Sequence, residues 1–294
     1  MKRILTISLA LGAATLLSAQ PNVPRGNMKA KMAEAAGEKG PFAKDEHFPK
    51  DYFLIPKNLP YAVGLTLYHP ESSSLGLSEE QIKKIEKIKA DTDPVVIKSA
   101  KKIKALELKL ADQMIKGAKA TDMEAEVDKI ASLKASLTKI HLKCIESVMA
   151  MLTPKQKGRL MTYAGRKMPK KKKAHKVTGL VPLPHPVKLL FEHEAELKIT
   201  KKQKERIEKE LVSVYPEKIH GNMDKAKAIE ETIKKAVLAE HKTSEVLKPD
   251  IEELVKVKKA ITHDHIDALN LLGTILREEQ FDKLLALSKK GHRQ

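Results

Sequence analysis

Four histidines occupy corresponding positions in the two halves of this 294-residue sequence. His69 and His193 each precede a short phrase that ends in glutamine, and His141 and His265 each lie on the apolar face of a long predicted helix. A neutral imidazole is a suitable ligand for zinc, nickel, copper or cobalt. The duplicated placement raises the hypothesis of two metal sites, one formed by His69 with His141 and the other by His193 with His265.

Two further candidate ligands differ between the halves. Cys144 follows His141 by three positions, whereas Ala268 stands at the corresponding place in the second half. His263 instead adds an imidazole to the second half. Two metal sites would therefore differ in their ligands. The alternative is that these side chains are ordinary core residues, which is the commoner situation for a single histidine on an apolar helix face.

Catalytic patterns are not recognisable in the chain. No Ser/His/Asp order, glycine-rich phosphate loop or His-Glu-x-x-His sequence stands out, and His263-Asp264-His265 is too compact to form a catalytic set without partners. Cys144 is the single cysteine and has no partner for an internal disulfide. We interpret the protein as a binding protein rather than an enzyme, with no cofactor other than the hypothetical metal.

A phrase that occurs four times predicts helix starts close to each of these histidines in the sequence. An aliphatic residue, a hydroxyl, two polar residues and a glutamine recur, and Ser or Thr at the N-cap with Gln three residues later is a capping box. Three copies have both capping residues: Ser78 with Gln81, Thr153 with Gln156, and Thr200 with Gln203. Arg277 replaces the hydroxyl before Gln280, so we expect this fourth helix start to fray or to continue from the preceding helix.

The four phrases indicate an internal duplication. Gln81 and Gln203 are 122 positions apart, and Gln156 and Gln280 are 124 positions apart. We therefore predict two similar units, residues 59–165 and 183–289. The basic segment 166–182 contains four consecutive lysines, which favour a solvated linker, with an adhesive patch for anionic surfaces as the alternative.

Composition and apolar spacing predict an all-α fold with long bent helices. Aromatic residues make up 3% of the chain, and apolar residues recur every three or four positions within each unit. We expect each unit to be a helical hairpin, broken at residues 117–122 in the first unit and at 240–249 in the second. Pro94 is expected to bend or interrupt the first arm of the first unit, whereas the second unit has Pro216 later in its arm.

The N-terminus predicts export. Residues 1–19 combine Lys2 and Arg3, a short apolar run and small residues before a cleavage position, as in a signal peptide, and no second apolar run predicts a retained membrane span. Cleavage removes these two cations and no acid, which lowers the formal net charge from +18 to +16. Residues 20–58 are predicted to be a mobile leader. Export makes nucleic acid an improbable partner for this basic chain, leaving membrane headgroups, envelope polymers and acidic protein segments.

The arrangement of the motifs resembles the Spy/CpxP family of periplasmic LTxxQ proteins. The resemblance rests on LGLSEEQIKKI at 75–85, MLTPKQKGRL at 151–160, LKITKKQKERI at 197–207 and the weaker ILREEQFDKLL at 275–285, and it covers both units. It implies a periplasmic stress-response protein that binds unfolded or misfolded envelope proteins without ATP. The alternatives within this family are a heavy-metal-binding sensor that uses the paired histidines and a modulator of an envelope sensor kinase.

Known members of that family mostly carry one unit and form dimers, whereas this chain carries two. Each hairpin has an apolar stripe that a single layer of helices cannot cover. We therefore expect the two units to pair within the chain as a pseudo-dimer, in preference to homodimerisation.

Overall fold

The computed structural model describes residues 34–37, 50–55, 59–165, 179–183 and 186–290. Every regular element in these ranges is helical and none is a strand, which confirms the predicted all-α fold class. The expected signal peptide and the run of four lysines at 170–173 lie outside the described residues.

From residue 59 to 165 the α-helices are α1, Ala62–Tyr68; α2, Glu79–Ile115; α3, Glu124–Met151; and α4, Pro154–Gly165. The long helices α2 and α3 form a hairpin, and its break falls where the sequence predicts it. Gly117 lies at φ 82°, in the left-handed region that glycine adopts without steric cost, and the 3-10 turn Ala120–Met123 leads into α3.

From residue 186 to 290 the α-helices are α5, Pro186–Glu192; α6, Glu194–Leu197; α7, Lys201–Arg206; α8, Tyr215–Leu238; α9, Lys248–Ile275; and α10, Glu278–Lys290. Helices α8 and α9 pack side by side as the second hairpin. The break between them coincides with the predicted segment 240–249, and Pro249 lies in the first turn of α9, where a missing N–H is harmless.

Of the two effects expected at Pro94, a bend or an interruption of the first arm, the interruption is wrong. Helix α2 continues through this proline without a break. Pro94 and Ala90 are both exposed, so water can reach the Ala90 carbonyl that loses its intrahelical partner at Pro94.

The corresponding arm of the second half is the one that is interrupted. A π-helical segment, Ile207–Val212, follows α7, and Ser213 N–H donates to the Glu208 carbonyl at 3.1 Å. Helix α8 then starts afresh with Pro216 in its first turn. Because proline is tolerated at a helix start and not in its interior, Pro216 favours a new helix at this point.

Helices α3 and α9 join the two halves in one hydrophobic core. Ile130 and Leu137 of α3 and Leu254 and Ile261 of α9 are fully buried in the same cluster. Asn270 Nδ2 also donates to the Ala118 carbonyl at 2.9 Å, which ties α9 to the turn of the first hairpin. A second, smaller cluster fills the end of the second half; it includes Leu190, Leu197, Ile207, Leu272 and Leu284.

Two short segments outside the hairpins complete the core. We call residues 50–55 the N-terminal strap and residues 179–183 the central strap. Leu54 is 1% exposed and Leu180 is fully buried. The expectations of a mobile leader through residue 58 and of a solvated linker through residue 182 are therefore wrong for these straps, because their apolar side chains cover the long helices.

Residues 34–37 also contact the core, within the range expected to be mobile. Ala36 is buried in the main cluster, and the Gly37 carbonyl accepts a hydrogen bond from the buried Lys104 side chain. None of the described helices is both long and apolar enough to cross a membrane.

Candidate functional site

The three complete motif phrases form capping boxes at helix starts. Ser78 Oγ accepts from the Gln81 N–H at 3.2 Å, and Gln81 Oε1 accepts from the Ser78 N–H at 2.9 Å. Thr153 with Gln156, and Thr200 with Gln203, make the same reciprocal pair of bonds. Each box satisfies two backbone donors that a helix start leaves without partners.

The capping glutamines also bind each other across the fold. Gln81 Nε2 donates to the Met151 carbonyl at 2.7 Å and to Gln156 Oε1 at 3.1 Å. Gln156 Nε2 donates to the Gly76 carbonyl at 3.0 Å and to Gln81 Oε1 at 3.2 Å. The pair ties the start of α2 to the start of α4.

The second half repeats this arrangement. Gln203 Nε2 donates to the Ile275 carbonyl at 3.0 Å and to Gln280 Oε1 at 2.8 Å, and Gln280 Nε2 donates to the Leu197 carbonyl at 3.0 Å. The sequence predicts the caps but not the hydrogen bonds between the capping glutamines. The pattern that could have indicated these bonds is the occurrence of two phrases in each unit, about one hairpin apart.

The fourth phrase starts a separate helix despite its missing hydroxyl. Helix α9 ends at Ile275, Leu276 is extended, and α10 begins at Glu278, so the expected alternative of a continuous helix is wrong. Gln280 Oε1 still accepts from the Arg277 N–H at 2.9 Å. The contacts of Gln280 with the other corner therefore hold this helix start in place.

Of the candidate ligands, His141 lies in an aromatic cluster. Its ring stacks on Phe53 with centroids 4.7 Å apart and is tilted against Tyr61 at 5.0 Å. Its Nε2 lies 3.2 Å from the Pro60 carbonyl. Nearby Cys144 is partly buried, and burial raises the pKa of its thiol, which disfavours the thiolate that binds metals.

The other three paired histidines have separate partners. His265 Nδ1 lies 2.8 Å from the Ile261 carbonyl, and burial lowers the pKa of this imidazole. His69 stacks on Tyr163 with centroids 4.5 Å apart. His193 Nδ1 lies 2.9 Å from Glu196 Oε2.

His263 lies between the two halves, where its Nε2 is 2.8 Å from Glu124 Oε2. Within the described ranges, no three His, Cys, Asp or Glu side chains are placed together as metal ligands. Metal binding by these histidines stays a prediction.

Two buried lysines fix the straps between the halves. At the N-terminal strap, the Leu54 N–H donates to Thr138 Oγ1 of α3 at 2.8 Å, and the Leu54 carbonyl accepts from Lys258 Nζ of α9. Leu54 is thus held by one helix from each half of the chain.

At the central strap the two helices exchange roles, so that α9 supplies the threonine and α3 supplies the lysine. The Leu180 N–H donates to Thr262 Oγ1 of α9 at 3.0 Å, and the Leu180 carbonyl accepts from Lys134 Nζ of α3. We call these two arrangements the strap sites. Lys134 and Thr138 lie 124 positions before Lys258 and Thr262, which is the offset between Gln156 and Gln280.

A glutamate accompanies each buried lysine. Lys134 Nζ lies 3.1 Å from Glu107 Oε1, and Lys258 Nζ lies 2.6 Å from Glu230 Oε1. Burial lowers the pKa of Lys258 in spite of the opposing charge of Glu230. In the sequence these two lysines look like the many solvated ones. The Lys-x-x-x-Thr spacing, repeated on two apolar helix faces, is the signal that distinguishes them.

One exposed face of α2 combines cations with aliphatic side chains. Val95 and Leu108 are 44% and 40% exposed and mark its ends, which are about 20 Å apart along the helix at ~1.5 Å per residue. Three exposed lysines lie between them: Lys98, Lys101 and Lys102. The single acid between Pro94 and Ala111 is Glu107, which is buried against Lys134. We call these five exposed residues the cationic stripe.

Comparison with protein-family models, curated proteins and solved structures found no match to this chain.

Proposed function

We propose that this protein is a periplasmic, ATP-independent chaperone of the Spy/CpxP type that binds unfolded or misfolded envelope proteins. The observation that carries this proposal is the cationic stripe of α2. Its ammonium groups attract acidic or unstructured chains over a distance of several ångströms, and its aliphatic ends offer apolar contact once a chain has arrived.

The charge of the whole chain supports the same reading. The excess of cations over acids extends well beyond the stripe. In the described residues, the three stripe lysines make no ion pair, whereas Lys109 on the next turn pairs with Glu126. Their charge is therefore available to a bound polypeptide.

The test is suppression of aggregation of a chemically denatured client after dilution into buffer without nucleotide. The full chain should suppress light scattering at near-stoichiometric ratios. Replacing Lys98, Lys101 and Lys102 together with Gln should slow client capture by roughly an order of magnitude at low salt, because steering by charge is lost. Raising the salt to about 0.5 M should reduce the difference between this variant and the natural chain.

A matched control removes three exposed lysines from the second half, at Lys225, Lys235 and Lys248. This triple Gln variant has the same net charge as the stripe variant and should retain most of the capture rate. Equal loss in both variants would assign the effect to net charge alone. Absence of any suppression by the natural chain would overturn the proposal.

A further inference from the structure

The two strap sites recognise main-chain atoms. At each site a threonine hydroxyl accepts the N–H and a lysine ammonium donates to the carbonyl of the same leucine residue. Neither bond depends on the identity of that residue's side chain. The surrounding core requires only that the side chain be aliphatic, because Leu54 and Leu180 are buried.

The two sites already accept different sequences. The N-terminal strap presents Phe53-Leu54-Ile55, and the central strap presents Gly179-Leu180-Val181. Phe53 and Gly179 differ greatly in size, whereas Ile55 and Val181 are both β-branched. The main-chain bonds that the two sites share therefore place no demand on the residue that precedes the leucine, as binding of varied extended segments requires.

The lysines are costly if packing is their sole role. An ammonium group taken out of water loses favourable hydration, and apolar residues of similar volume often replace buried ion pairs without loss of stability. Burial indeed lowers the pKa of Lys258. Recognition of a backbone carbonyl is a function that would explain why a lysine is kept at this buried position.

We propose that the site formed by Thr138 and Lys258 binds an extended aliphatic segment of an unfolded polypeptide when the N-terminal strap is released. The strap is then an internal competitor that occupies the site in the resting protein. This inference rests on the proposed chaperone function and names the segment class that the protein takes: extended, aliphatic, with a free N–H at the central residue.

Competition between the strap and an added peptide determines the peptide affinity that we expect. A tethered segment acts at an effective concentration of about a millimolar, so it excludes an equal segment supplied in solution at micromolar concentration. Weakening the strap lowers this competition without changing the site. The full chain carrying Phe53→Ser and Leu54→Ser keeps Thr138 and Lys258 and loses the apolar anchor of the strap.

The probe is a fluorescein-labelled peptide with the sequence of residues 50–58, titrated into the full chain and followed by anisotropy. We expect the double-serine variant to bind it at least tenfold more tightly than the natural chain. A peptide N-methylated at the position of Leu54 cannot donate to Thr138 and should bind the variant at least tenfold more weakly than the unmodified peptide.

Matched lysine variants locate the binding site. Adding Lys258→Met to the double-serine variant should abolish the increase in peptide affinity. Adding Lys134→Met, at the other strap site, should preserve this increase. Circular dichroism checks that each protein is folded. Phe53→Ala alone serves as a milder strap variant if the double variant loses its helices.

Folded strap variants that bind the peptide no better than the natural chain would overturn the inference, as would equal binding of the N-methylated peptide. The proposed function is tested separately by the aggregation assay. Peptide capture that depends on Lys258, without suppression of aggregation by any variant, would support the site and refute the chaperone. Suppression of aggregation without peptide capture would support the chaperone and refute the site.

Discussion

The Gln81 side-chain amide donates to Gln156 Oε1 at 3.1 Å, and the Gln156 amide donates back to Gln81 Oε1 at 3.2 Å. Each glutamine therefore caps its own helix and binds the cap of the other. A pair of this kind needs both helix starts in one place, so it fixes where α4 returns to the start of α2. This explains why the motif phrase occurs twice in each half.

Replacing Gln156 with Ala should lower the free energy of unfolding by about 2–3 kcal/mol. The substitution removes the hydrogen bonds of Gln156 to the Thr153 N–H, the Gly76 carbonyl and Gln81, and each such bond contributes ~0.5–1.5 kcal/mol. Urea unfolding followed by circular dichroism measures the loss. Gln113→Ala, within α2 and away from any cap, should cost less than half as much. Similar losses for both substitutions would contradict the role of the pair.

Replacing Arg277 with Thr should stabilise the chain by about 1 kcal/mol. Arg277 offers no hydroxyl to the N–H groups of α10, whereas Thr at an N-cap accepts one of them. The reciprocal change, Thr153→Arg, should destabilise by a similar amount. Thermal unfolding of the two variants and of the natural chain measures whether each substitution raises or lowers the stability. A loss of stability with Arg277→Thr would show that the arginine has a favourable role of its own.

The sequence was sufficient for features that depend on neighbouring residues. Helical periodicity predicts the hairpins, and the spacing from Ser78 to Gln81 predicts a cap. Features that depend on distant contacts were missed. Whether Pro94 breaks a helix depends on which side faces water, and whether Leu54 is mobile depends on a threonine and a lysine far along the chain. Lys258 has an ordinary sequence context and an unusual, buried position.

The contribution of Lys258 to stability should increase with pH. Burial holds its pKa in the folded protein below the ordinary value of 10.5. As the pH rises towards 10.5, the unfolded chain therefore holds more protons at this residue than the folded chain, and stability rises with pH. The free energy of unfolding of the natural chain minus that of Lys258→Met should grow as the pH rises towards 10.5. Lys225→Met, at an exposed position, should show no such trend.

Metal binding by the paired histidines can be tested by calorimetry with zinc, nickel, copper and cobalt. The sequence hypothesis expects up to two sites per chain that weaken as the pH falls through about 6.5, where imidazole becomes protonated. His141→Ala with His265→Ala should remove them. Unchanged stoichiometric binding in this double variant would exclude both histidines as ligands. Exposed His220→Ala is the control and should leave binding unaltered.

An isolated first unit, residues 51–167, should self-associate, whereas the full chain should stay monomeric at micromolar concentration. In the full chain, α9 covers the apolar face of α3 and supplies Lys258 to the Leu54 carbonyl. The fragment lacks α9 and the central strap. A second copy can replace both, because its own α3 presents Lys134 at the place that corresponds to Lys258. Burial of the apolar face of α3 stabilises such a dimer by about 25 cal/mol per Å² of apolar surface.

This dimer should depend on Lys134. In the symmetric pair each Lys134 would donate to the Leu54 carbonyl of the other copy, as Lys258 does within the full chain. A hydrogen bond to a charged group contributes ~1.5–3 kcal/mol, so Lys134→Met should weaken self-association of the fragment about tenfold or more. Lys129→Met, at an exposed position of the same helix, should leave it unchanged. Sedimentation of the three fragments measures the difference, and a fragment that remains monomeric at high concentration would show that the halves do not need each other to cover α3.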